Sequence, residues 1–167
     1  YLSLESYPQE VMPIDKVSID WSKTRAWGDG GYYGRLFLNV QGREPQGIIP
    51  PEDYEDVRQD LISKIEVIED DKGRNIGSRA YRPEDLYKEC NGIPPDLIVY
   101  FGDLEWRPVG SVGLRSIHTF ENDLGPDDAN HDWHGIFIIS GKNMGNIYLD
   151  TLDIYKINPL ILELMGA

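Results

Sequence analysis

The only imidazoles in the 167 residues, His118, His131 and His134, all fall within residues 118–134. The same stretch carries Glu121, Asn122, Asp123, Asp127, Asp128, Asn130 and Asp132, and it runs directly into the apolar segment Gly135-Ile136-Phe137-Ile138-Ile139-Ser140-Gly141. Imidazole and carboxylate groups at the mouth of a sheet are suitable ligands for zinc, manganese or iron. His131 is the best placed of the three, because it precedes the strand-like run and can point inward as the strand begins. Asp, Asn, Gly and Pro also build ordinary Asx turns in solvated loops. Spacing alone therefore leaves both metal ligation and a plain loop open. A helix-flanked calcium loop is absent, since Asn122, Asp123, Asp127 and Asp128 lack the regular ligand ladder and its terminal glutamate.

A second place for chemistry lies near the front. Lys23, Arg25, Arg35 and Arg43 surround the glycine and aromatic run Trp27-Gly28-Asp29-Gly30-Gly31-Tyr32-Tyr33-Gly34. Arg25 beside such a turn can anchor a phosphate through its guanidinium, with backbone N–H groups assisting. The simpler alternative is that these arginines pin a loop by pairing with carboxylates. Trp21, Trp27, Tyr32 and Tyr33 read first as loop packing and second as a stacking surface for a base. The run is no dinucleotide fingerprint, because its glycines precede a strand instead of joining a strand to a helix. Cys90 has no Cys or His nearby and reads as a buried structural residue. No Gly-x-Ser-x-Gly elbow and no Lys-Ser or Lys-Thr phosphate loop occurs. Thr24 and Thr119 offer hydroxyls without a nucleophile's surroundings, so no complete catalytic centre can be assembled from these residues.

The elements that must position these groups follow from periodicity. Residues 1–19, with Pro8 and Pro13, read as a short strand and an extended linker. Arg35 to Val40 is strand-like. A helix is expected after Pro50, with Pro51 at its first position, Glu52 and Asp53 at its positive end, and Tyr54, Val57, Leu61, Ile65 and Ile68 on one face. A shorter helix is expected from Arg82-Pro83-Glu84-Asp85-Leu86-Tyr87. Asp96-Leu97-Ile98-Val99-Tyr100-Phe101 and the run at 135–141 are short and fully apolar, as buried strands are. Asn158 as cap, Pro159 as opener and Gly166 as stop frame a terminal helix. Apolar strands separated by helical segments predict an α/β fold whose central sheet is covered on both faces.

Composition narrows the classes. With 29 acidic residues against 16 Lys plus Arg, the formal charge is -13. A general nucleic-acid surface is not expected from that balance, although a small basic pocket can hold one phosphate. One cysteine excludes an internal disulfide framework and any Cys-rich metal module. No apolar run approaches a membrane span, and residues 1–10 lack a signal peptide's pattern. A soluble, cytoplasmic, single-domain chain is the expectation.

A resemblance then attaches to particular stretches. Trp21-Ser22-Lys23-Thr24-Arg25-Ala26-Trp27-Gly28-Asp29-Gly30-Gly31-Tyr32-Tyr33-Gly34-Arg35-Leu36-Phe37-Leu38-Asn39, followed by Gly42-Arg43-Glu44-Pro45-Gln46-Gly47, resembles the carboxy-terminal part of archaeal and bacterial type I phosphodiesterase/nucleotide pyrophosphatase-like proteins of the alkaline phosphatase superfamily. Residues 121–131 and the run from Gly135 are similar to that family's later section. The ending Asp153-Ile154-Tyr155-Lys156-Ile157-Asn158-Pro159-Leu160-Ile161-Leu162 resembles its terminal Asp-Ile-Ala-Pro-Thr-Ile-Leu pattern, with departures at Lys156, Ile157, Asn158 and Leu160. The resemblance implies that residues 1–167 are the carboxy-terminal portion of an alkaline-phosphatase-like layered α/β domain. It also implies hydrolysis of phosphoric esters or diesters with two divalent metals, zinc being usual, by an upstream threonine or serine nucleophile. Of the metal ligands only His131 matches, and the Asp-His motif and nucleophile would precede Tyr1. The implied partners are that amino-terminal part and a phosphate-containing small molecule. The isolated chain is then expected to be inactive and to self-associate if its sheet is left uncovered. A non-catalytic anion-binding or protein-interaction module, and a portion of a related phosphomutase or sulfatase, are the alternatives.

Overall fold

A computed structural model describes residues 1–121, 129–141 and 151–166. They fall into two units, Tyr1–Trp133 and His134–Ala167. The first unit begins with the short strand β1 (Met12–Pro13), then β2 (Ala26–Asp29) and β3 (Gly34–Leu38). After a 3-10 turn at Pro51–Asp53 comes helix α1 (Tyr54–Ile65), followed by β4 (Arg79–Tyr81) and the short α2 (Pro83–Leu86). Strands β5 (Leu97–Tyr100) and β6 (Ser111–Val112) complete it. β2, β3, β5 and β4 form a four-stranded sheet in that order, and every neighbouring pair is antiparallel. β1 pairs with β6 in a separate two-stranded ladder. The fold is mixed α/β with a central sheet flanked by helices.

Alternation along the strands explains the layering. Ala26, Leu38, Ala80, Leu97 and Val99 point to one face, where they meet Val57, Leu61 and Ile65 of α1 in a single apolar cluster. The i, i+4, i+8 spacing of those three helical residues is what lets one stripe of α1 cover the sheet. Fully burying a leucine such as Leu38 or Leu97 contributes roughly 1.5–3 kcal/mol. The opposite face carries aromatic residues. Trp27 stacks on its cross-strand partner Phe37 at 5.6 Å, and Tyr81 meets Tyr100 edge-on at 5.9 Å.

The connection from β3 to α1 is organised by Asn39, whose buried side-chain amide donates to the carbonyls of Trp21, Thr24 and Gln46. Its own carbonyl accepts from Ile48 and Ile49. One asparagine thus ties two loop segments, at Trp21 and Thr24 and at Gln46 to Ile49, to the end of β3, and gives their backbone groups partners. Thr24 belongs to this knot. It is fully buried, with its hydroxyl on the Asp20 carbonyl at 2.9 Å and the Ser3 N–H on its oxygen at 3.0 Å.

The second unit departs from expectation. Residues 135–140 form no strand, and Ile136 and Ile138 are 92% and 84% exposed. A strand apolar on both faces needs a neighbour to pair with and a layer on each side, and the described residues of this unit contain no strand to supply one. Helix α3 (Ile157–Met165) forms with no buried residue, although only Asn158 and Glu163 interrupt its apolar or proline positions. Gly166 ends it in the left-handed region at φ 79°, as expected. The capping role falls elsewhere. Asp153 caps the preceding 3-10 turn by accepting from Tyr155 N–H at 2.9 Å, and Asn158 lies inside the helix. Cys90 is exposed, not buried, because α2 ends at Leu86 and leaves it in the following loop. Among the described residues no helix is long and apolar enough to cross a membrane.

Candidate functional site

His131 lies in the first unit, next to the C-terminal end of β5. There the backbone takes three successive left-handed steps, Gly102 at φ 58°, Asp103 at φ 56° and Leu104 at φ 75°. Glycine does this freely, and aspartate tolerates it. For leucine it is an outlier, and such conformations cost of order 1–3 kcal/mol each. The outliers face residues 130–133. Asn130 donates its side-chain amide to the Leu104 carbonyl, and Trp133 Nε1 donates to Asp103 Oδ1 at 2.7 Å. Between those two ties, the His131 ring lies flat on Tyr32, with centroids 3.7 Å apart and planes 11° from parallel. The imidazole is exposed, and its nitrogens take no hydrogen bond from the described residues. A ring fixed in plane with open nitrogens suits it to accept a metal ion.

The other histidines go elsewhere. His118 packs against Trp106 at 5.4 Å, in a cleft of about 650 Å³ also walled by Phe101, Ile117 and Phe120. Its Nε2 is buried without a hydrogen-bond partner among the described residues. His134 opens the second unit. The candidate oxygen ligands Asn122, Asp123, Asp127 and Asp128 lie outside the described residues. Among the described residues no group of three or more His, Cys, Asp or Glu side chains could hold a metal ion. Of the candidate ligands named from the sequence, the described residues place His131 beside the end of β5 with its ring on Tyr32, and they group it into no set of three or more donors.

Arg25 stands just before β2, with its N–H donating to the Tyr1 carbonyl at 2.8 Å and its side chain exposed. Its charge is one of the weaker influences lowering the pKa of Asp60 on α1. No hydrogen bond or ion pair among the described residues joins Arg25 to His131. Thr24, being buried and doubly hydrogen-bonded, has no access to a substrate.

The most heavily bonded carboxylate is Asp96, immediately before β5 and 3% exposed. It accepts from Leu38 N–H at 2.6 Å, from both terminal nitrogens of Arg43 at 2.7 Å, and from the Tyr54 hydroxyl at 2.6 Å. All of its partners are protein groups, which makes it a structural clamp and leaves no lone pair directed at a ligand. Tyr54 also lies beneath two guanidinium groups, Arg58 at 5.0 Å and Arg43 at 5.7 Å from its ring centre. Burial, and then the Asp96 carboxylate, push the Tyr54 hydroxyl up to about 12. In the unfolded chain it titrates at about 10, so between those values the folded state keeps a proton that the unfolded state releases. The stabilisation is complete below pH about 10 and is lost as pH rises through about 12. Urea midpoints should fall across this window in the parent chain and fall less in Tyr54→Phe. Equal slopes in both proteins would contradict the assignment.

Sequence reasoning singled out His131 and Tyr32 separately and did not foresee their stacking. It also passed over Asp103, Trp133 and Asp96. The readable signal for Asp103 was a Gly-Asp pair directly after an apolar strand, a place where chains turn. For Asp96 there was none, since an acidic residue before a strand usually sits in solvent. No family model matches this chain, and neither does any curated protein or solved structure.

Proposed function

We propose that residues 1–167 are the carboxy-terminal part of a metal-dependent phosphodiesterase or nucleotide pyrophosphatase-like hydrolase of the alkaline phosphatase superfamily, with His131 as one metal ligand. The observation that carries this reading is the stack of His131 on Tyr32. Two of the stretches that carry the family resemblance, residues 21–39 and 121–131, thus meet ring to ring at Tyr32 and His131. In this reading the alkaline-phosphatase-like layered sheet is completed by residues preceding Tyr1, which also bring the nucleophile and remaining ligands. The apolar exposure of Ile136, Ile138 and α3 is consistent with such a missing layer. His131 presents a nitrogen in a plane set by Tyr32, and Arg25 is assigned as a contact to the substrate phosphate. Two divalent ions, zinc by family resemblance, would there supply Lewis-acid stabilisation of phosphoryl oxygens. A location in the cytoplasm belongs to the same proposal.

The test is to isolate the source polypeptide that contains these residues and measure its mass, zinc content and hydrolysis of bis(p-nitrophenyl) phosphate. The expected result is a protein well above 19.1 kDa, active with zinc, whose His131→Ala variant loses zinc and about 100-fold or more in kcat/KM. A native protein of 19.1 kDa without hydrolase activity would sink the proposal. It would favour the second reading, an interaction module, to which the exposed apolar side chains of Ile136, Ile138, Ile154 and Met165 also point.

A further inference from the structure

Building on the reading of His131 as a metal ligand, we infer that Asp103 is the positioning residue that sets its imidazole, acting through Trp133. The residues flanking His131 are tied to consecutive residues of one turn, Asn130 to the carbonyl of Leu104 and Trp133 to the carboxylate of Asp103. The turn adopts the left-handed region at both of those residues, a conformation that surrounding structure must hold in place and that recurs at functional sites. Aspartate reconciles two demands there. It accepts the φ of 56°, and its Oδ1 reaches the Trp133 indole at 2.7 Å. Trp133 leans in turn on Tyr100, the last residue of central strand β5, at 5.1 Å. The orientation of the indole is thereby referred to the sheet, and with it the short segment that carries His131. Stacking on Tyr32 then fixes the ring plane. Ligation depends on ring orientation, which outer groups hold through hydrogen bonds and packing.

Three substitutions separate this role from simple support of the turn. Asp103→Asn keeps the tolerance for left-handed backbone and an acceptor oxygen. Asp103→Gly keeps the backbone without strain and removes the acceptor. Tyr32→Leu removes the ring on which His131 rests. The readout is the NMR spectrum of the 167-residue chain with labelled histidine and tryptophan, the His131 signals being assigned by their disappearance in His131→Gln. In the parent chain the His131 ring protons should lie upfield of free histidine, because they sit over the face of Tyr32. Asp103→Gly should abolish that shift and move the Trp133 Nε1–H resonance to its free position while leaving the urea midpoint unlowered. Asp103→Asn should retain both signals, and Tyr32→Leu should lose only the His131 shift. In the longer polypeptide, zinc affinity should fall about tenfold in Asp103→Gly and stay near the parent value in Asp103→Asn.

Unmoved His131 resonances in Asp103→Gly would overturn the inference, as would loss of the shift in both Asp103 variants. The shifts involve no metal, so their failure removes the positioning role alone. Unchanged zinc content in His131→Gln would instead remove the ligand reading.

Discussion

Replacing Asp96 by alanine should lower the unfolding free energy by about 2–4 kcal/mol, because the Leu38 N–H and the Tyr54 hydroxyl both lose their acceptor, at about 1–3 kcal/mol for each unsatisfied buried donor. The size follows from what is left behind. Arg43 would keep a guanidinium directed at an empty acceptor position, and the Tyr54 hydroxyl and Leu38 N–H would lose partners at 2.6 Å. The carboxylate is 3% exposed whereas the Arg43 side chain is 44% exposed, so water can reach the guanidinium and the desolvation penalty falls on the Leu38 N–H and the Tyr54 hydroxyl. Domains of this size are stable by only about 5–15 kcal/mol, so the variant is expected near the edge of folding at 37 °C. Asp96→Asn, which retains one acceptor, should cost visibly less. Urea titration followed by tryptophan fluorescence measures both, and a loss below about 1 kcal/mol for Asp96→Ala would show that the clamp contributes little.

The second large effect is expected at Gly47. A Cβ at this position would stand 2.0 Å from the Val40 carbonyl oxygen, 2.3 Å from its carbon and 2.6 Å from Gln41 N. All three are backbone atoms, so no rotamer change makes room. Gly47→Ala should therefore destabilise by about 3 kcal/mol or more, at the upper end of overpacking costs. It should also disturb the Asn39 knot, because Gln46, one of the three carbonyls that Asn39 holds, is the preceding residue. Gly42 is the control. Its φ of 80° strains a side chain, but nothing lies within 4 Å of its Cβ position, so Gly42→Ala should cost only about 1–2 kcal/mol. Equal losses at the two glycines would show that the close approach to Val40 is relieved by loop movement.

These two positions also mark where sequence reading stopped. Helix α1 was legible because Tyr54, Val57, Leu61 and Ile65 carry their period openly, and β5 was legible because four apolar residues stand between turn signals. Gly47 was visible as a residue but not as a contact, since its requirement comes from Val40 across a loop. His131 was legible as a candidate by residue type and place. Its orientation was not, because Tyr32, Asp103 and Trp133 reach it through tertiary contacts with no local pattern. Residues 135–140 misled in the other direction. Their apolarity reads as a strand at any range, yet a strand forms only when another chain segment offers backbone groups to bond.

The strand order carries a kinetic consequence. β2 and β3 are neighbours in sequence and can pair as a local hairpin, but β5 lies between β3 and β4, joining Leu36 to Leu97 and Tyr81 to Ile98. Until β5 is seated, β3 and β4 have no bond to each other, and the long excursion through α1 and α2 must first be closed at an entropic cost. The pairing of β5 with β3 is therefore a contact between distant parts of the chain, of the kind that favours slow folding. Asp96, immediately ahead of that strand, acts as its latch, bonding β3 at Leu38 and the first turn of α1 at Tyr54 as Leu97–Tyr100 enters.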